Sequence, residues 1–216
     1  MKFRLTVLIV FSLCLSNVFA DEGMWLLGNL RKNKQTDRVM KELGLQMPVN
    51  KIYNPKKPCL ADAVVSFGGF CSGVVVSEGG LVFTNHHCGF SSIQQHSSVE
   101  HDYLKDGFFA RSLEEELPNP ELYVRFLLRT EDVTKRVLSA ARHAKTETER
   151  RVAVDSIMNV ISMEVSEKDS TLTGIVDAYY AGNEFWLSVY RDYNDVRLVF
   201  APPSSVGKFG WDTDNW

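Results

Sequence analysis

The sequence predicts a mainly β fold with helical additions. Three observations carry that prediction. Between residues 61 and 84, short β-branched and aromatic runs alternate with glycine pairs, the pattern of hairpin strands. A second set of such runs fills residues 171–200. Between the two, over about 131–170, apolar residues recur every three or four positions and charges take the other faces, which predicts a helical insert.

The elements follow in order. Met1-Lys2-Phe3-Arg4 is a short basic start, and residues 5–15 are apolar but too few to span a bilayer. Val18-Phe19-Ala20 then places small residues where an export peptidase cuts, so residues 1–20 read as a signal peptide removed before Asp21. Leu13 stands where a lipoprotein signal needs a small residue before Cys14, so no lipid anchor is expected. The destination is the periplasm or cell envelope of a bacterium. Residues 21–216 are then the mature chain. Residues 22–45 show helical spacing with Gly44 near the end, and Asn54-Pro55 and Lys57-Pro58 punctuate the exit.

Strands are expected over 63–67, 72–77 and 81–84, separated by Gly68-Gly69 and by Glu78-Gly79-Gly80. His86 and His87 then fall just past a strand end, at the rim of a sheet. Ser97-Ser98-Val99-Glu100 has the capping-box pattern and predicts a short helix that Gly107 closes. Residues 122–128 predict another strand, and 130–168 one long or two shorter amphipathic helices. Strands resume over 171–180 and 184–190. Asp192-Tyr193-Asn194-Asp195 predicts a turn that returns 196–200 as a hairpin partner, and residues 201–210 predict a loop.

Charge and composition exclude some functions. The chain carries a formal net charge of −3, and the export segment holds Lys2 and Arg4 but no acid, so the remainder is more acidic still. An acidic chain without a basic run is a poor nucleic-acid binder, and the run 145–151 reads as a solvated helix face. No later segment is long and apolar enough for a membrane helix. Three cysteines remain after export. Cys71 and Cys88 flank one predicted hairpin and are paired on that ground, leaving Cys59 free; three unpaired buried thiols are the alternative.

The stretch LVFTNHHCGFSS, residues 81–92, ends an apolar run on two histidines and a cysteine. Zinc is one reading, since His86, His87, Cys88, His96 and His101 lie close in sequence. Adjacent ligands point apart, however, and neither Cys-x-x-Cys nor His-Glu-x-x-His occurs, so no metal site is assigned. A second reading makes each histidine a satisfied polar group at a strand end, and it is preferred for His86, His96, His101 and exposed His143. The third makes His87 a general base. In a chymotrypsin-like β-barrel the catalytic histidine stands at a strand end, and the following cysteine is tied back to an earlier strand. Cys71 precedes Cys88 by one hairpin, the reach such a tie needs.

Several stretches then combine in one order: Asp21-Glu22-Gly23-Met24-Trp25, CSGVVVSEGGLVFTNHHCGF (71–90), HDYLKDGF (101–108), EELPNPEL (115–122) and VFAPPSSVGKFG (199–210) followed by DTDNW. Together they resemble the bacterial dipeptidyl-peptidases 7 and 11, a family of chymotrypsin-clan serine exopeptidases, from Asp21 to Trp216. The likeness leans toward the broad, hydrophobic-preferring dipeptidyl-peptidase 7. The resemblance implies part of a chymotrypsin-like double β-barrel in a protein roughly three times longer, beyond the size of one domain. It implies that His87 is the triad histidine and that Asn215 and Trp216 help hold the substrate's amino end. The triad aspartate and serine would lie past Trp216, and no Gly-Asp-Ser-Gly or Gly-x-Ser-x-Gly elbow occurs here. Asp102 is the one internal carboxylate weighed as a partner for His87, and it falls in a predicted helix. Where the family has Gly-Gly before DTDNW, this chain has Gly210-Trp211.

The expectation is therefore the N-terminal part of an exported serine dipeptidyl-peptidase, inactive as these 216 residues alone. It needs no cofactor and acts on peptides with a free N-terminus. A homodimer of the full-length protein is compatible with this. The alternative is a non-catalytic binding or structural module of the same fold.

Overall fold

The computed structural model describes residues 25–30 and 34–207. Residues 1–20, expected to be a signal peptide, Asp21-Glu22-Gly23-Met24 and the DTDNW ending, with Trp211, Asn215 and Trp216, lie outside the described residues.

Among the described residues ten strands occur in chain order: β1 (Val64–Phe67), β2 (Cys71–Val75), β3 (Val82–Thr84), β4 (Phe108–Phe109), β5 (Leu117–Pro118), β6 (Val124–Asp132), β7 (Leu172–Tyr179), β8 (Glu184–Tyr193), β9 (Arg197–Leu198) and β10 (Phe200–Ala201). Six of them form one sheet in the order β3-β2-β1-β6-β8-β7. Every pairing in it is antiparallel. Two short ribbons, β4 with β10 and β5 with β9, stand beside it. The sheet is open: β3 and β7 are its edges, and no closed barrel occurs among the described residues. The mainly β fold with helices is therefore present, and the double β-barrel is not seen.

Seven α-helices accompany the strands among the described residues: α1 (Lys34–Glu42), α2 (Val49–Ile52), α3 (His86–His96), α4 (Tyr103–Asp106), α5 (Thr134–Ala140), α6 (Glu147–Lys168) and α7 (Ser204–Gly207). α1 ends as Gly44 suggests. Gly44 takes φ +105°, its N–H donates to Lys41 O, and Leu45 N donates to Met40 O, the paired bonds of a glycine-terminated helix.

The helical segment 133–170 is two helices, both applied to the β7–β8 half of the sheet. Val137 of α5 and Ile161 and Val165 of α6 meet Val176, Leu187 and Val189 in one buried cluster. Gly174 of β7 lets α6 approach closely, since a Cβ there would stand 2.7 Å from Val165 Cγ2 and 2.8 Å from Ser162 O. Arg136 of α5 and Glu164 of α6 join the two helices at their surface, with Nη1 donating to Oε2 over 2.8 Å. In the middle of the sheet Arg125 donates two 2.7 Å bonds to Asp192 across the β6–β8 pair. Its guanidinium also lies 5.0 and 5.4 Å from the Tyr123 and Tyr190 ring centres. Those bonds to Asp192 hold the Arg125 pKa above its ordinary value.

Two expectations are corrected here. Residues 192–195 are not a hairpin turn. β8 runs on through Tyr193 because Val124 of β6 pairs with it, and the returning segment joins β5 and β4 instead. The second hairpin turns at Tyr180–Gly182, where Tyr180, Ala181 and Gly182 all take positive φ and Asn183 Nδ2 donates to Tyr180 O. The second correction concerns residues 97–100. Ser98 Oγ accepts from Glu100 N and His101 N, which makes a turn rather than a helix start. The helix that Gly107 closes begins at Tyr103, capped by Asp102, whose carboxylate accepts from Lys105 N.

The N-terminal layer packs Leu30, Val49 and Tyr53 together, and Tyr53 Oη lies 3.0 Å from Thr130 Oγ1 of β6. Cys59 is free, and its sulfur accepts from Asn54 N at 3.2 Å.

Candidate active site

The site is built at the β3 edge. Val82, Phe83 and Thr84 pair with Val75, Val74 and Gly73, and Thr84 Oγ1 donates to Ser72 O at 2.8 Å. Gly73 permits that pairing, because a Cβ there would sit 2.9 Å from Val82 Cγ1. Asn85 then takes extended backbone angles and caps α3, and Cys88 N donates to Asn85 O. The strand therefore ends one residue before the histidines, and a helix starts on them. Sequence reading placed the histidines at the rim but missed the helix.

Cys71 and Cys88 are bonded, with Cα atoms 6.1 Å apart. The bond links the first residue of β2 to the first turn of α3. It lies inside the apolar cluster of Val65, Phe67, Val124 and Cys88. So the turn carrying the histidines is anchored covalently as well as by packing. His87 is exposed there, while Cys88 on one side and His86 on the other are buried. The ligand atoms of His87, Cys71 and Cys88 all lie within 4.8 Å of one another. The two sulfurs are bonded to each other, so they are not thiolates and the group is not a metal centre in this oxidised form.

His86 and His96 pack within the scaffold. His86, 5% exposed, meets Phe90 edge to face at 6.1 Å. Gly207 of α7 lies on the same imidazole: a Cβ at Gly207 would stand 2.4 Å from His86 Cδ2. His96 Nε2 lies 3.3 Å from Asn119 Oδ1. Asn119 is itself buried, its side chain donates to Leu117 O, and its N–H donates to Val196 O. His101 stacks on Tyr103, and His143 is exposed.

Residues far apart in the chain converge at this place. Gly107, with φ +81°, lies against Ala201 O and Pro203, while Phe108–Phe109 pairs with Phe200–Ala201. The stretches 101–108, 115–122 and 199–207 thus form one bed beneath α3. Asn119 and Gly207 are positioning residues that sequence reading did not pick out singly, although the stretches containing them were noted as distinctive. Asp102 serves as a helix cap, which gives its carboxylate a structural task.

The edge of the antiparallel sheet thus presents an exposed histidine beside a bonded cysteine. A model of the Peptidase S46 family matches residues 20–216, and the chain belongs to that family. It is 50% identical to a dipeptidyl-peptidase 7 of Porphyromonas endodontalis over 218 residues, all of this chain and 26% of that protein. It is 44% identical to an Asp/Glu-specific dipeptidyl-peptidase of the same organism, over all of this chain and 30% of that one. A crystal structure of Porphyromonas endodontalis DPP11 in complex with dipeptide Arg-Glu superposes with a TM-score of 0.76 at 42% identity, covering 91% of this chain and 29% of that one. The chain thus spans between a quarter and a third of the length of these relatives.

Proposed function

We propose that this chain is the N-terminal part of an exported serine-type dipeptidyl-peptidase that releases dipeptides from the free amino end of peptides. The observation that carries the reading is His87, exposed at the head of α3 while the Cys71–Cys88 bond fixes the turn beneath it. An imidazole held this way can take the proton of a serine hydroxyl as it attacks the carbonyl, then return it to the leaving amine. The serine, and the aspartate that orients His87, belong to the sequence beyond Trp216. Water then releases the dipeptide acid by the same proton route in reverse. Asn215 and Trp216 hold the substrate's ammonium group, which makes the enzyme count two residues from the end.

Support comes from the family membership and from relatives named as dipeptidyl-peptidases, one of them solved with a dipeptide bound. On this reading residues 1–20 are a signal peptide, the protein works in the periplasm or cell envelope, and a homodimer of the full-length protein is compatible with it. The open sheet is one wall of a double β-barrel completed by the rest of the protein, and the 216 residues alone are inactive.

The test is to offer the full-length protein two chromogenic dipeptidyl substrates that differ only in acetylation of the amino end. Hydrolysis of the free-amine substrate alone supports the reading. Equal hydrolysis of both removes the dipeptidyl assignment, and hydrolysis of neither, across hydrophobic and acidic second residues, supports the non-catalytic module.

A further inference from the structure

The first turn of α3 holds three residues in three different settings: His86 is buried, His87 exposed and Cys88 buried. A helix advances about 100° per residue, so the two buried side chains leave the axis about 200° apart, one on each flank of His87. The Cys88 flank is tied to β2 through the bond to Cys71. That tie runs through rotatable single bonds. It fixes where the turn lies and leaves the turn able to roll about the helix axis. The His86 flank is held by packing. Phe90, one turn on, meets the His86 ring edge to face at 6.1 Å. The backbone of buried Gly207 lies so close to the ring that a Cβ there would stand 2.4 Å from Cδ2 and 2.7 Å from both Cγ and Nε2. α7 has its own support behind it. Pro203 O accepts from Val206 N and Gly207 N, and Pro203 lies against Gly107, where a Cβ would come within 2.9 Å of its Cδ. A flat ring set against a backed-up glycine resists the roll that the disulfide permits.

We infer that His86 is a positioning residue: its ring, seated against Gly207, fixes the roll of the first turn of α3 and so the direction in which His87 points. The inference rests on the proposed role of His87 as the proton carrier. His86 touches no reacting atom and acts through the residue that follows it. The two flanks divide the work, the disulfide holding the turn in place and the His86–Gly207 contact aiming it. A misaimed base costs rate more than substrate affinity, because a displacement of about 1 Å in the reacting geometry lowers the rate about 10²-fold.

The test is a double-mutant cycle in the full-length protein, read as kcat and KM on a free-amine dipeptidyl chromogenic substrate. His86→Ala and Gly207→Ala should each lower kcat about 10- to 100-fold while KM stays within about threefold. A methyl at residue 207 intrudes on space that the His86 ring fills, so removing the ring makes room for it. The double variant should therefore be no slower than the slower single one. A second readout needs no substrate. In protein carrying ring-13C histidine, the His87 signal, assigned by its loss in His87→Gln, should shift in each single variant while near-UV circular dichroism and the Cys71–Cys88 bond are retained. Unchanged kcat in both single variants overturns the proposal, as do losses that multiply in the double variant or a His87 signal that stays put. A fall in kcat that goes with lost near-UV circular dichroism in both single variants also overturns it, because the effect is then that of the fold. If the wild type hydrolyses nothing, the peptidase reading falls, and the His87 signal still decides whether His86 aims the turn.

Discussion

At the scale of single residues, the site depends on contacts with no room to spare. Gly207 carries no side chain because the His86 ring occupies that space, 2.4 Å from where a Cβ would go. Gly207→Ala must displace either α7 or the imidazole. Overpacking of a filled site costs about 1–3 kcal/mol. The thermal midpoint of the full-length protein should fall accordingly, and kcat/KM should fall with it, because His86 neighbours His87 on the same helical turn. A variant with unchanged midpoint and activity would show that α7 does not rest on this histidine. Residue identities were only partly legible in the sequence. The pairing of Cys71 with Cys88 could be read because a hairpin separates them. The link of His96 to Asn119 could not, because the two are far apart in sequence and only folding brings them within 3.3 Å.

At the scale of elements, the first hairpin was legible with its turns, and the second in its strands but not in its turn, for a physical reason. Glycines at 68, 69 and 80 take positive φ and mark both turns of β1–β2–β3. The β7–β8 turn instead places Tyr180 and Ala181 in the left-handed region, which neither residue signals. The turn-like residues 192–195 are overridden by the pairing of β8 with β6. α3 escaped notice because its histidines, glycine and serines are weak helix formers, and it is held by burial of Cys88 and Ile93 and by the disulfide. α6 was legible because its apolar spacing is regular. Ile161, 2% exposed in the α5–α6 cluster, should lose about 2–5 kcal/mol on truncation to alanine. Val152→Ala on the exposed face of the same helix should change little, and denaturant midpoints compare the two.

The Arg136–Glu164 pair gives the helices a pH signature. Hydrogen bonds from Arg136 hold the Glu164 carboxyl below its ordinary range. A lowered folded-state value means stabilisation present above the unfolded carboxylate pKa, about 4.3, and lost as pH falls through the folded value. The gap in melting temperature between wild type and Arg136→Ala should therefore be small but present at neutral pH and close below that range. Since the pair is solvent-exposed, the gap should also shrink in high salt. A gap that widens on acidification would contradict the assignment.

At the scale of the whole molecule, part of one sheet face is apolar and exposed among the described residues. Val64, Val74 and Phe83 are cross-strand neighbours in register on β1, β2 and β3, and they are 54%, 41% and 57% exposed. Phe70 is 68% exposed nearby in sequence. Apolar rows of this kind mark surfaces that meet another part of a protein. The isolated 216 residues should bind a hydrophobic dye and aggregate, and Val74→Thr with Phe83→Thr should reduce both. A sharp, reversible melt of the unaltered chain without dye binding would oppose that. The barrel expectation belongs to this scale too. Local strand patterns were legible, but closure of a sheet depends on partners far along a chain, and the described strands form an open sheet.

The central claim is that His87 moves the proton in peptide hydrolysis, and its most direct measurement is kcat/KM of the full-length protein with and without that imidazole. His87→Ala should lower hydrolysis of a free-amine dipeptidyl chromogenic substrate by about 10⁴-fold or more, the scale of losing a triad member, with the melting temperature and the Cys71–Cys88 bond retained. Equal rates for wild type and His87→Ala would take the histidine out of the mechanism.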